Sequence, residues 1–461
     1  MQEGPEFTAA HAASRSGGRS SGQSATANGN LDSGNHGEST GSRSAGPSVS
    51  GSATSQLRAS SRLERKLIEW AYQRVGRPRV TLVLWDGTVV GDEQSAVGQL
   101  VIQHPSALRR LFWNPNLAFG ECYSDGSLLI HGDILTVLLE VNRGLTRARQ
   151  QGTIPADSRP RGSRTHSLAK SRSRVRHHYD LGNEFYKLWL DEQLVYTCAY
   201  YTDPGVSLTQ AQSDKLEYVC RKLRLKPGER VVEAGCGWGA LALHMARHHG
   251  VSVRAFNLSS EQIAHARQWA EREGLNDRVQ FVQDDYRSIE GQFDAFVSVG
   301  MLEHVGAENF RGLGHLMSRV LTPSGRGLIH SIGRNAWRAL DPWTDKYIFP
   351  GAHPPSLREM MDLFEDGGFS VLDVENLRMH YARTCADWLT NFEKVADQIE
   401  QMFDERFVRM WRLYLAASSA TFENGDLQLF QVVFSRADNN SLPWTRCDWY
   451  SRPLSGQSPE R

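Results

Sequence analysis

No two of the chain's six cysteines form a CxxC pair, and no stretch of about 18 residues is apolar enough to span a bilayer. The first absence argues against structural zinc. In a chain with no secretory signal it also argues against a disulfide framework, so Cys122, Cys198, Cys220, Cys236, Cys385 and Cys447 are expected as free thiols in a reducing cytoplasm, with no metal site. The second absence excludes a membrane-spanning helix. Residues 1–58 hold hardly any large apolar side chain and consist mostly of Ser, Gly, Ala, Thr and Asn. Such a segment cannot offset its ordering entropy by burial, so a disordered arm is expected there. It has no apolar core of a secretory signal and is not acid-free or Arg-rich enough for a transit peptide. Net charge is absent as well: 52 Lys and Arg balance 52 Asp and Glu.

That balance hides a local excess. Arg143, Arg147, Arg149, Arg159, Arg161, Arg164, Lys170, Arg172, Arg174 and Arg176 are opposed within their stretch only by Asp157. Residues 151–175 therefore read as a basic linker. It is either simply solvated or drawn to an anionic membrane surface or nucleic acid, where each cation near a membrane contributes about 1 kcal/mol.

Before the linker, "SRLERKLIEWAYQRVG" has a helical period with Leu63, Leu67, Trp70 and Ala71 on one face. "VTLVLWDGTVVG" reads as two strands joined at Asp86-Gly87. With the helix and strand material that follows, residues 59–150 form a small α+β domain without an evident catalytic constellation. From about residue 176 short apolar strands alternate with helices: "ERVVEAG", "VSVRAFNLS", "RVQFVQDD", "FDAFVSVG", "GRGLIHSIG", "FSVLDVEN" and "LQLFQVVFS". This pattern implies an α/β, doubly wound, Rossmann-like domain over residues 176–436, followed by a tail over 437–461. Ligands of such sheets bind beyond the carboxyl ends of the strands.

The first of these strands runs into Glu233, Gly235, Gly237 and Gly239 and then a helix. The G-x-G-x-G spacing lacks the later glycine of a dinucleotide fingerprint and has the form of the turn in S-adenosylmethionine-dependent methyltransferases. Asn257, Ser259 and Gln262 follow the second strand, and Asp285, Tyr286 and Arg287 the third. Carboxylates and amides recurring at successive strand ends suit ribose hydroxyls and an adenine edge. Glu303 and His304 follow the fourth strand, His330 and Ile332 lie near the end of the fifth, and Tyr381 comes later. A Glu, a His and a Tyr converging there would be costly to bury without a polar ligand between them. The stretch "LVYTCAYY" adds Cys198, which on its own fits a nucleophile, a metal ligand, a core residue or something less usual.

"HHYDLGNEFYKLWLDEQLVYTCAYY", "EAGCGWGALALHMA", "SVGMLEHVG", "DPWTDKYIFPG", "RFVRMWRLYLAASSATF" and "LQLFQVVFSR" together resemble the cyclopropane fatty-acid phospholipid synthases and the mycolic-acid cyclopropane synthases. The resemblance covers residues 176–436, and 59–150 looks like the amino-terminal domain of the phospholipid-acting members. It implies a class I methyltransferase domain using S-adenosylmethionine, with Tyr196 and Thr197 added to the cofactor set. It also implies that Cys198, Glu303, His330, Ile332 through its backbone, and Tyr381 hold a bicarbonate ion. The implied substrate is an unsaturated phospholipid in a bilayer, met at an anionic surface on the inner face of the membrane, with no nucleic acid. Tyr196, Tyr200 and Tyr201 are candidates to steady a cation. A stripe of Trp388, Phe392, Val395, Ile399 and Met402 reads as core or as one wall of a lipid channel, together with the aromatic segment between the fifth and sixth strands. For 59–150 a membrane grip and contacts of a homodimer both stay open. Asn257 stands where the family usually has threonine.

Overall fold

The computed structural model describes residues 58–154 and 181–450, which fall within one compact unit. The arm expected over 1–58, all but its last residue, most of the basic linker and the end of the tail lie outside the described residues. The first part builds a four-stranded sheet from β1 (Thr81–Val83), β2 (Val89–Val90), β3 (Gln99–Ile102) and β4 (Leu128–His131), in the order β2-β1-β3-β4. β1 and β2 meet at the expected hairpin, where Gly87 takes a φ of 82° and Asp86 Oδ1 accepts from the Thr88 amide at 3.1 Å. Around this sheet lie α1 (Arg62–Arg74), α2 (Pro105–Trp113), α3 (Pro115–Ser124) and α4 (Ile134–Gln150).

Only half of the face expected of α1 turns inward, Leu67 and Ala71 being partly buried. Ile68 is its buried residue, whereas Leu63 is 76% and Trp70 50% exposed. Trp70 instead meets the half-exposed Phe112 ring of α2 at 6.0 Å. Three of the arginines counted toward the basic stretch are also engaged: Arg143 pairs with Glu140 at 2.8 Å, Arg149 with Asp426 at 3.2 Å, and Arg147 reaches the Gly76 carbonyl.

The second part holds a seven-stranded sheet of β5 (Arg230–Ala234), β6 (Ser252–Asn257), β7 (Val279–Gln283), β8 (Phe293–Val299), β9 (Leu321–Gly333), β10 (Phe369–Asn376) and β11 (Gln428–Arg436). Their order is β10-β11-β9-β8-β5-β6-β7. β5 to β9 run parallel, and β11 pairs antiparallel with both β9 and β10. The chain order reverses at β5, between β8 and β6, so a crevice opens there beyond the strand ends. His330 on β9 stands in register with Val299 of β8 on one side and Gln431 of β11 on the other.

The helices that matter for the site are α5 (Asn183–Lys187), α6 (Leu208–Leu223), α7 (Ala240–His249), α8 (Ser260–Arg272), α9 (Phe310–Val320), α10 (Pro342–Tyr347), α11 (Arg378–Lys394) and α12 (Glu405–Asn424). α12 starts at Asp404, whose carboxylate accepts from the Phe407 amide at 2.7 Å, and stops at Gly425 with a φ of 83°. It joins the two sheets' surroundings. Its Arg409 donates to the carbonyls of Tyr123 at 2.6 Å and Leu128 at 3.2 Å, tying it to the first part. Its Trp411 sits edge-on to Phe185 of α5 at 5.0 Å, within a buried aromatic cluster. The sequence tail begins beyond β11 and folds back, with Trp449 buried and Asp448 paired to Arg224.

Candidate active site

The glycine turn leaves β5 with Gly235 at a φ of 89° and Gly239 at 95°, conformations that other residues rarely adopt. A Cβ at Gly235 would come within 2.9 Å of Met301, and one at Gly239 within 2.7 Å of the Phe281 ring. Asn257, at the end of β6, shapes the turn: its amide donates to the Gly237 carbonyl at 3.1 Å and to Gln262 Oε1 at 2.7 Å. Gly235, Gly237, Asn257, Gln262, Asp285 and Tyr286 line one end of a cavity of about 620 Å³, together with Tyr196, Thr197 and Glu233.

Three residues expected to touch a cofactor do something else. Gly239 packs on Phe281 at the start of α7. Ser259 caps α8. Arg287 lies against both carboxylate oxygens of Asp285, at 3.2 and 3.1 Å. None of these three lines the cavity.

Glu233 is buried, and among the described residues its Oε2 has no hydrogen-bond partner. Burial raises its carboxyl to about 8, against the pull of Lys215. Lys215, equally buried on α6, is lowered by burial to about 8, opposed first by Asp191, and donates to Thr197 Oγ1 at 3.0 Å. An orphaned polar oxygen beside a glycine turn, with amides and carboxylates at the next strand ends, fits a nucleoside with a charged amino-acid tail.

The reacting end lies past β8 and β9. Glu303 is buried in the short turn after β8, and its Oε1 accepts from the Ile332 amide at 2.5 Å. Its Oε2 has no partner among the described residues. Burial pushes its carboxyl up to about 7, opposed by the Ile332 amide and the Ser331 hydroxyl. Ile332 therefore offers its N–H to Glu303 in this structure and not to the open cavity. His330 is buried with Nδ1 2.9 Å from the side-chain nitrogen of Gln431. Gln431 Oε1 accepts from Lys222 Nζ at 2.9 Å, which orients the amide so that its NH₂ faces the imidazole. Nδ1 is thus the acceptor and the proton sits on Nε2, which has no partner among the described residues. Burial depresses the imidazole well below its usual value, so it is neutral.

Tyr381 lines the cavity, and burial raises its phenol, reinforced by Cys385, Tyr414, Cys198 and Glu303. Cys198 is fully buried, its thiol pushed up by burial, and it approaches the Ala199 carbonyl at 3.1 Å. A protonated, enclosed thiol is no nucleophile at neutral pH. Glu303, Ile332 and Tyr381 face the cavity directly, while Cys198 and His330 stand behind its wall.

Of the three tyrosines, Tyr196 alone lines the cavity, its hydroxyl 2.8 Å from that of Tyr414. Tyr200 stacks between Tyr218 and His380, and Tyr201 bonds Asp387 at 2.8 Å. The apolar end of the cavity also differs from the expected stripe. Trp388, Phe392 and Ile399 are core residues, Val395 is partly buried and Met402 exposed. The wall comes from Phe349, from Leu413, Tyr414 and Ala417 on α12, and from Phe119, Leu138 and Val141 of the first part. Trp343 of α10 also lines it, and Gly120 of α3 lies so close that a Cβ there would meet the indole at 2.4 Å.

The family model of mycolic acid cyclopropane synthetase matches residues 166–432. The chain belongs to that family. It is 37% identical to the cyclopropane-fatty-acyl-phospholipid synthase of Escherichia coli K12, over 76% of this chain and 90% of the relative. It is 35% identical to a probable fatty acid methyltransferase of Pseudomonas putida, over 80% of this chain and 95% of the relative. Among solved structures, a mycolic acid cyclopropane synthase complexed with SAH and CTAB aligns with a TM-score of 0.54 and 27% identity, covering 57% of this chain and 98% of its own. A cyclopropane synthase of Mycobacterium tuberculosis gives 0.55 and 25%, with the same coverages. As a member of the cyclopropane synthetase family, the protein is an S-adenosylmethionine-dependent lipid methyltransferase with the class I fold.

Sequence reasoning missed Gln431, Lys222 and Lys215. Gln431 had a visible signal, one of two amides inside the apolar run "LQLFQVVFS". No helix among the described residues is long and apolar enough to cross a membrane.

Proposed function

We propose that this synthetase adds a methylene group across the cis double bond of an unsaturated phospholipid acyl chain, making a cyclopropane ring. The observation that carries the reading is a pair of buried atoms without partners among the described residues, Glu303 Oε2 at a cavity that runs from the glycine turn into an apolar chamber, and His330 Nε2 behind its wall. When bound, S-adenosylmethionine supplies an electrophilic methyl group, and bicarbonate a base small enough to reach it. The turn residues, Glu233, Asn257, Gln262 and Asp285 would hold the former. A neutral His330 Nε2–H donor and a Glu303 Oε2 acceptor fit the latter, which has both anionic oxygens and an O–H.

The alkene's π electrons form the new carbon–carbon bond as the carbon–sulfur bond breaks, leaving a carbocation on the chain. A proton then leaves the added methyl group and its C–H pair closes the ring. Glu303 Oε2 is where that proton ends, and His330 Nε2–H steadies the negative charge on the way. The apolar walls from Phe349 and α12 exclude water that would trap the cation. Tyr196 and Tyr381 offer ring faces near it.

The proposed setting is the cytoplasmic face of an anionic membrane, with the basic stretch after α4 favouring that surface over nucleic acid, and a homodimer as the working assembly. Incubating the full chain with S-adenosylmethionine and vesicles of cis-unsaturated phospholipid tests the chemistry. The expected lipid gains the mass of one CH₂ and loses its alkene, with high-field ring protons by NMR; no gain on any lipid would falsify the reading. A second outcome, a methyl-branched chain, lacks those ring protons; the Pseudomonas putida relative is named a probable fatty acid methyltransferase, which favours methyl transfer to a fatty acid without specifying a ring.

A further inference from the structure

On the far side of α6 from the active site, Glu217 and Cys220 share one helical face, and His244 and His249 of α7 point at them. Glu217 Oε2 lies 3.3 Å from His244 Nε2 and 3.0 Å from His249 Nε2. The Cys220 thiol and one nitrogen from each histidine all lie within 4.8 Å of one another. Cys220 is fully buried, and the other three side chains are 14 to 19% exposed. Arg221 Nε holds the second carboxylate oxygen of Glu217 at 2.9 Å, so that Oε2 is left facing the two imidazoles.

Hydrogen bonds from two histidines account for Glu217, and the Cys220 thiol packs in the core beside them. A metal ion would join that thiol to the two imidazoles as well. We propose that Cys220, His244 and His249 form a site for a zinc-class divalent cation that ties α6 to α7, with the Glu217 carboxylate, already against both imidazoles, turning in as the fourth donor. The donor set of two imidazoles, one thiolate and one carboxylate matches zinc, whose structural sites are tetrahedral. Tetrahedral bonds of roughly 2.0 to 2.3 Å set donors about 3.3 to 3.7 Å apart, so the thiol must draw in while the carboxylate and imidazoles part slightly, both within the reach of side-chain rotation. Binding forms the metal–sulfur bond and releases the thiol proton to solvent. The two negative ligands then balance the cation, so no net charge is left in a half-closed place. Arg221 keeps the carboxylate oriented, as outer-sphere partners do.

The site is structural, with no open position for a substrate. α6 carries Lys215 and Lys222, which reach Thr197 and Gln431, and α7 opens at the glycine turn. An ion there clamps the two helices that support opposite ends of the active site.

The test uses the untagged full chain, stripped with EDTA and titrated with Co²⁺, in a Cys447→Ser background that removes the exposed thiol. One Co²⁺ per chain with a thiolate-to-cobalt absorption band and a raised melting temperature is expected. Cys220→Ser should abolish that band. His249→Gln, at the helix end and safe for folding, should weaken binding at least about tenfold, since even outer-sphere changes cost roughly 10–100-fold. Absence of the band, its persistence in Cys220→Ser, or unchanged affinity in His249→Gln overturns the proposal. These readouts are independent of lipid turnover, so they stand apart from the proposed reaction.

Discussion

Gln431 donates its side-chain amide to Nδ1 of His330, one strand over, and is itself held by Lys222. Three residues on three elements thereby fix which nitrogen of one imidazole carries the proton. Lys222 is in turn anchored by Glu375, which also accepts from the Tyr218 hydroxyl at 2.9 Å.

Gln431 is therefore a positioning residue, and Gln431→Leu should lower kcat by roughly 10–100-fold, the effect of about 1–3 kcal/mol for one unmade buried bond. Cofactor affinity should stay within about twofold. Gln431→Glu, whose carboxylate can accept a hydrogen bond from a protonated Nδ1, should favour a charged imidazole and add a new limb to the pH profile of kcat. A loss of cofactor binding equal to the loss of kcat would reduce Gln431 to a packing role.

Glu303 titrates at about 7 in the folded chain, against an ordinary 4.5. As the proton acceptor it must be ionised, so kcat/KM should rise with pH through about 7. Glu303→Gln should remove that limb and cost about 10²–10⁴-fold in rate.

The same shift carries a stability consequence. Between 4.5 and about 7 the folded state holds a proton that the unfolded state has lost, so stability falls as pH rises through that window. The cost reaches about 3 kcal/mol above it. Glu303→Gln should therefore match the parent chain in urea unfolding at acid pH and exceed it in alkali. Equal midpoints in alkali would mean that the carboxyl is not desolvated as the fold implies.

Ala417 lines the apolar end of the cavity from α12. Ala417→Phe should fill the chamber and cut turnover of long acyl chains at least about tenfold, from an overpacking cost of roughly 1–3 kcal/mol, while cofactor binding holds. Turnover that is unchanged with chain length would remove α12 from the acyl wall.

The seven strands of the large sheet were legible because each is a short apolar run between helical patterns, as in "ERVVEAG" or "FDAFVSVG". The reversal of β11 was not, since a strand buried on both faces reads the same in either direction. Glu303 and Tyr381 were legible from strand ends and motif order. Which tyrosine faces the cavity was not, because Tyr196, Tyr200 and Tyr201 differ only in what α6 and α11 bring against them. The stripe over residues 388–402 reads equally as core or as cavity wall, and it is mainly core. The apolar wall comes from Phe349, α12 and the first part, and only the packing of distant elements separates the two readings.

The meeting of Gly120 with Trp343 has one more implication. Part of the chamber wall, from Phe119, Leu138 and Val141, precedes the methyltransferase fold, so in the proposed reaction the room for hydrocarbon is set partly by a segment outside that fold. Two chains with identical catalytic halves but different first hundred-odd residues would then measure different lipids, and substrate range can drift in evolution without a single change around the methyl group.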